Sequence, residues 1–258
     1  MVKIFSKFAI LLMFSSLLSG CLSGEDDDAG IILDVSLSTS EGTILHSYVD
    51  GDLVSVSDVS VEFDFSNSSS DSELILFGIN ANDSRDSIEV DAKESQTIVM
   101  NFSQHGVYEV AVYAIDADDN YREESVIVKL NYRIDWSEYE TNNPKVLPFD
   151  PRPANDGQHA TMIEVSSLVE NPDLITEFGN GNSVYITWNI IDENNDTCQR
   201  YSEQVANGET ITWETIHFNT YLLHELVVDN DESEDAINLA HSIPVSYTHL
   251  TLPTTRYV

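Results

Sequence analysis

Basic residues are scarce in this chain of 258 residues: 11 Lys and Arg stand against 45 Asp and Glu, a formal net charge of -34. A surface so anionic offers no footprint for phosphate, which excludes nucleic acid as a partner. Cysteine is nearly absent, with only Cys21 and Cys198, so no framework of disulfides can hold the fold. The apolar run Phe8–Leu18 has eleven residues, too few to cross a bilayer core of about 30 Å at 1.5 Å per residue. No stretch sustains an apolar period of 3.6, so helices are expected to be few. No Gly-x-Ser-x-Gly elbow, phosphate-binding loop or dinucleotide fingerprint occurs, and no catalytic residue is nominated. His46, His105, His159, His217, His224 and His241 form no His-x-His or His-x-x-x-His pair, which argues against zinc. Cys198, set in the acidic stretch Asp-Glu-Asn-Asn-Asp-Thr-Cys, reads as an incidental thiol.

What is present begins with an address. Lys3 and Lys7 precede the apolar run, and Leu18-Ser19-Gly20-Cys21 follows it. This order resembles the lipobox of prokaryotic lipoproteins, in which small residues admit the peptidase and the Cys thiol takes the lipid. The resemblance implies lipidation of Cys21, a signal peptide over 1–20 and an extracytoplasmic protein held to the membrane by two acyl chains, enough for stable anchoring. Residues 21–30, with acids from Glu25 to Asp28, read as a solvated tether. An acidic, Lys-poor secreted surface suits a salty medium that screens self-repulsion. A marine or halophilic prokaryote, archaeal by preference, is the expected source; the sequons at Asn67, Asn82, Asn101 and Asn195 read either as archaeal glycosylation sites or as chance in a chain rich in Asn, Ser and Thr.

The body of the chain carries strand signals. Val59, Val61, Phe63 and Phe65 alternate with polar residues, and apolar runs recur at Leu74–Phe77, Ile98–Phe102, Val107–Ile115 and Val126–Leu130 between turn-rich stretches. Short strands with regular turns predict an all-β protein of β-sandwiches. The stretch from Gln96 to Asp118 matches Glu209 to Asp231 at an offset of 113, pairing Thr97 with Thr210, Tyr108 with Tyr221 and Asp116 with Asp229. Upstream, Val59-x-Val61-x-Phe63 matches Val184-x-Ile186-x-Trp188 at an offset of 125. Two copies of one unit are therefore expected. One mismatch stands out, Val112 against Glu225, which a bulge or register change would resolve.

The segment from His105 to Asp116, with Gly106-x-Tyr108-x-Val110-x-Val112 running into an Asp-rich hairpin, resembles PKD-type and related immunoglobulin-like domains. The second copy has Asn219 in place of the Gly, and the Trp-Asp-Phe-Gly-Asp element of PKD domains is absent. The resemblance implies two tandem immunoglobulin/PKD-like sandwiches serving as spacer, adhesion or carbohydrate-contacting modules, without catalysis. The expected layout is sandwich 1 over 31–132, a Pro-rich linker and first edge over 133–160, and sandwich 2 over 161–243. The alternative role is the accessory region of a secreted hydrolase whose catalytic domain is not in this sequence.

Candidate sites are few. Asp116, Asp118 and Asn120 alternate, and Asp229, Asp231 and Asp235 repeat the pattern. They read either as a calcium site or as polar hairpin turns; the sixth and twelfth positions of a calcium loop hold Tyr121 and Ile127 in one copy, Glu234 and Ala240 in the other. No other cofactor is expected. Trp188 alternates with apolar neighbours and reads as core, which leaves Trp136, beside the linker, as the exposed candidate for stacking on a sugar. The partners implied are the membrane, through the lipid on Cys21, and a surface glycan or protein.

Residues 244–258 look foreign. Pro244 to Thr255 reads PVSYTHLTLPTT, similar to the translation of a transposase-type sequencing adapter, and carries no acid. Deleting Pro244–Val258 should then cost little, and the natural protein should continue differently after Ile243. Independent long reads across this locus are expected to diverge near Pro244 and to continue with acidic composition. Reads that reproduce the segment in the genome would make the tail native.

Overall fold

The computed structural model describes residues 30–173, 175–176, 179–231 and 235–247. The expected signal peptide over 1–20, Cys21, the rest of the expected tether up to Ala29, and residues 248–258 lie outside them. Among the described residues there is no helix. The principal strands are β1 (Glu41–Val49), β2 (Asp52–Ser57), β3 (Val59–Asp64), β4 (Leu74–Asn80), β5 (Ile88–Asp91), β6 (Thr97–Phe102), β7 (Gly106–Asp116) and β8 (Tyr121–Thr141). They are followed by β9 (Leu147–Phe149), β10 (Met162–Glu170), β11 (Val184–Asp192), β12 (Thr197–Val205), β13 (Thr210–His217), β14 (His224–Asp231) and β15 (Ile237–Ser246).

Strand alternation builds each layer. In β6, Ile98, Met100 and Phe102 are buried while Thr97, Val99 and Asn101 face out; a period of two puts one apolar face on the core. β3 and β6, joined by Ser36–Leu37, form one sheet of the first sandwich. The facing sheet runs β5-β4-β7-β8, and β1 lies parallel to β8 on its far edge. Their shared core holds Val61, Phe63, Phe77, Met100, Val110 and Leu130. Tyr108, near the start of β7, donates its hydroxyl to the Gln104 carbonyl at 2.9 Å, the corner bond of immunoglobulin-like sandwiches.

The two sandwiches are fused through β8. Its 21 residues pair with β7 over Tyr121–Leu130 and then with β15 over Tyr132–Thr141, end to end along one edge. Residues of even number keep one face throughout: Val128 and Leu130 enter the first core, Ile134 and Trp136 the second. One nine-stranded sheet thus backs both cores. The smaller sheet of the second sandwich runs β9-β14-β11-β12. β15 does not pair with β14; it sits between β8 and β10, and β14 takes β9 instead.

These facts correct several expectations. Residues 133–141 are not linker but the second half of β8. The proline-rich stretch is packed as well: Leu147 and Phe149 are buried on either side of outward Pro148, which an edge strand tolerates. The Asn155 amide donates to the Val107 carbonyl at 2.9 Å. A Cβ on Gly106 (φ +152°) would meet the Asn155 Oδ1 at 2.8 Å, so a side chain at the first residue of β7 would displace this amide.

The repeat is real in architecture but misaligned in sequence. Val59–Phe63 lies on β3, which pairs with β6, whereas Val184–Trp188 lies on β11, which pairs with β12 and β14; by its pairing with β13 the counterpart of β3 is β10. Tyr221 is exposed in the turn before β14 and is no counterpart of Tyr108. In β14 the buried residues are His224, Leu226 and Val228. The offset of 113 therefore pairs inward with outward positions, which explains Glu225 against Val112. Of the adapter-like segment, Pro244 to Tyr247 are described: Val245 and Tyr247 are buried, and Ser246 accepts from the Thr161 amide at 2.7 Å. The expectation that deletion of this part costs little does not hold for this packing.

Trp136, Trp188 and Trp213 all belong to the second core, so tryptophan fluorescence reports on that sandwich alone. Leu130→Ala opens a cavity in the first core and should cost about 2–5 kcal/mol. If β8 couples the sandwiches, denaturant midpoints by far-ultraviolet dichroism and by tryptophan emission shift together. A tryptophan midpoint left in place would show independent unfolding.

Candidate functional site

Asp116 closes β7 and is fully buried. Its Oδ1 accepts from the backbone amides of Asp118 and Asn120, both at 3.0 Å, and its Oδ2 from the Ser70 hydroxyl at 2.7 Å and the Asn120 amide at 3.0 Å. The bonds from Asn120 and Ser70, in that order and against the opposing effect of burial, hold its carboxyl below the usual carboxylate range. With both oxygens committed, this carboxylate shapes a turn, helped by Asp119 at φ +62°. Asp118 accepts from the Ser72 hydroxyl. In the second sandwich, Asp229 is exposed on β14 beside the Asn189 amide (3.2 Å), Asp235 accepts from the Asn182 amide (2.9 Å), and the Asp231 side chain lies outside what is described. The same Asx geometry recurs between β11 and β12, where Asp192 Oδ1 accepts from the amides of Asn194 and Asp196. It recurs at a different turn from the one the repeat suggested.

Trp136 is not an exposed stacking platform. It is 6% exposed, donates its Nε1–H to Glu138 at 2.9 Å and packs on Tyr48 with centroids 5.3 Å apart. Trp188 is core, as expected; its Nε1–H donates to Ser167 at 2.7 Å, and Ser167 lies 2.9 Å from His241 Nδ1.

Where the sandwiches meet, a cleft of about 570 Å³ opens between β1, the β6–β7 loop and the Pro148–Asp156 stretch. His105 stacks on Tyr132 at 4.8 Å and 4°, and the Tyr132 hydroxyl lies 3.0 Å from His46 Nδ1. Burial drives His105 down to about 4, so its ring is neutral near pH 7. Arg152 grips Asp150 through two parallel bonds of 2.8 and 2.7 Å. Burial tends to raise the Asp150 carboxyl, but these bonds outweigh it and leave it lowered. The cleft thus offers an aromatic face, neutral ring nitrogens and an ion-paired fork. Sequence reading missed it because Tyr132 and Arg152 fell in or beside the supposed linker.

A second cluster also escaped the sequence reading. Cys198, His217 and His224 bring their ligand atoms within 4.8 Å of one another. They come from the starts of β12 and β14 and the end of β13, a convergence that sequence spacing does not reveal.

No protein-family model and no curated protein matches the sequence. Among solved structures, one concerning the promiscuous specificity of carbohydrate-binding modules from the β-sandwich superfamily aligns with 85% of this chain and 93% of its own, at 10% identity and a TM-score of 0.30. The fibronectin(III)-like modules of Clostridium thermocellum CbhA align with 76% of this chain and 93% of theirs, at 10% identity and a TM-score of 0.26. A Bacteroides ovatus mixed-linkage glucan utilization protein, SGBP-B, solved with a heptasaccharide, aligns with 78% of this chain and 52% of its own, at 9% identity and a TM-score of 0.20. The fold assignment accordingly rests on the strand order itself.

Asp116→Ala leaves the Ser70 hydroxyl and the Asn120 amide without their acceptor and should lower the melting temperature by several degrees. Calcium should raise the melting temperature of the parent no more than magnesium does at equal concentration. A calcium-specific rise abolished by Asp116→Ala would restore the calcium reading.

Proposed function

We propose that this chain is a lipid-anchored, extracytoplasmic spacer and binding protein with no catalytic chemistry of its own. The observation that carries this reading is β8, whose 21 residues serve both sandwiches. An ordinary linker would let two domains swivel. A continuous strand, paired on both edges across the junction by β1, β7 and β15, makes them one stiff body instead. Fully extended it spans about 70 Å. Such a body suits holding something at a distance from a surface. The Leu-Ser-Gly-Cys sequence ending at Cys21 and the acidic stretch after it supply an anchor and a solvated tether. The inter-sandwich cleft, with Tyr132, His105 and the Arg152–Asp150 fork, supplies a surface suited to a polar ligand such as a glycan.

One set of variants tests both halves. Expressed in a lipoprotein-processing host, the parent should partition with membranes and detergent, and Cys21→Ser should stay unprocessed or be released. A Cys21→Ser protein processed and fractionated like the parent would sink the anchor. The released protein should be retained on an immobilised polysaccharide panel, and Arg152→Ala should reduce that retention at least about tenfold. Equal passage of both would leave a spacer without the proposed ligand.

A further inference from the structure

We infer that Cys198, His217 and His224 form a binding site for one zinc-class divalent ion at a pole of the second sandwich. Three independent features of the cluster point there. The first is its donor set: a thiol and two imidazoles are the ligands that zinc selects over calcium or magnesium. Their ligand atoms lie within 4.8 Å of one another. In a tetrahedral site with bonds of 2.0–2.3 Å they would be about 3.3–3.7 Å apart, so binding asks for a contraction of about 1 Å.

The second feature is unmet hydrogen-bonding capacity. His224 is fully buried, and its Nε2 lies 2.8 Å from the Asn219 carbonyl. A carbonyl only accepts, so Nε2 carries the proton and Nδ1 keeps its lone pair. That Nδ1 is buried without a partner, and so is His217 Nε2. Buried polar atoms are almost always satisfied, and two orphaned ring nitrogens beside one thiol are a ligand set awaiting its ion. The Asn219 carbonyl also does what second-shell acceptors do at zinc sites, fixing tautomer and ring orientation.

The third is the backbone. Ile191 pairs with Thr197 and Ile190 with Gln199, so Cys198 is the extra residue of a β-bulge. Bulges re-aim side chains, and this one packs Cys198 against the second core rather than leaving it in the solvent. Asp192 pairs with His224 in the ladder and Asp196 lies two residues before Cys198, so carboxylates stand near the site and favour a dication. Cys198 is only partly buried, so the fourth position opens to water.

The ion would have a mechanical place. β13 belongs to the nine-stranded sheet, and β12 and β14 belong to the smaller sheet. A metal held by residues of all three clasps the two layers of the second sandwich together, the role an inter-sheet disulfide plays in other sandwiches.

Cobalt(II) titrated into the metal-free full chain tests this directly. The expected result is a thiolate-to-cobalt charge-transfer band with tetrahedral d–d absorption, saturating at one equivalent and bleached by zinc. Cys198→Ser, a near-isosteric change whose folding is checked by circular dichroism, should abolish the charge-transfer band although Cys21 remains. It should also weaken zinc binding at least about 100-fold, more than loss of a second-shell partner typically does. His217→Gln should remove the tetrahedral d–d bands while the fold persists. Zinc should raise the melting temperature of the parent but not of Cys198→Ser. Pale octahedral cobalt held by surface carboxylates, or a charge-transfer band that survives in Cys198→Ser, would overturn the assignment.

Discussion

Everything in this structure hangs on the pairing of one strand with different partners along its length. β8 exchanges β7 for β15 between Leu130 and Tyr132 without changing the face its even-numbered residues present. Had the exchange shifted that face by one residue, Ile134 and Trp136 would point away from the second core. β1 spans the change on the opposite edge, pairing with Lys129 through Ser137. The seam is held from below as well. Asn155 bonds to Val107 just inside β7, and Leu147 and Phe149 from the same stretch fill the second core. Placing β15 beside β8 frees the edge of β14, and β9 occupies it with its proline turned outward.

The sequence shows the layers plainly and the connections poorly. Period-two alternation in β3 and β6 is strong because each has one wet face, and the core residues Val61, Phe63 and Ile98 can be read from it, while β7, buried on both faces from Val110 to Ala114, reads as a continuous apolar run. β8 hides its second half: Tyr132, Ile134 and Trp136 do alternate with Arg133, Asp135 and Ser137, but Glu138 ends the apolar series on that face and the proline stretch follows closely. Glu138 is buried nonetheless, because the Trp136 indole and the Lys145 amide satisfy it. The repeat misled by one residue in β14. Composition around the turns is similar enough to align, while the side-chain parity that decides inside from outside depends on loop lengths that composition does not encode.

Site residues followed the same logic. Asp116 was singled out for its spacing, and the structure gives that spacing a turn to organise. Trp136 seemed exposed only because its strand seemed to be linker. Cys198, His217 and His224 are brought together by a sheet pole, where the ends of strands far apart in the chain meet. Pair motifs such as His-x-His detect ligands on one strand or one helix turn and are blind to that kind of convergence.

The parallel pairing of β1 with β8 has a consequence for load. Where neighbouring strands are pulled apart from one end, their bonds break one after another, and each break needs little force. Where the pull runs along the strands, all bonds between them resist together. β1 is an early strand of the described chain, and its nine paired positions lie alongside the strand that spans both cores. Tension entering from the amino-terminal side and leaving through the far sandwich runs along this pair. The junction is therefore loaded in shear, the direction in which a ladder of hydrogen bonds is strongest.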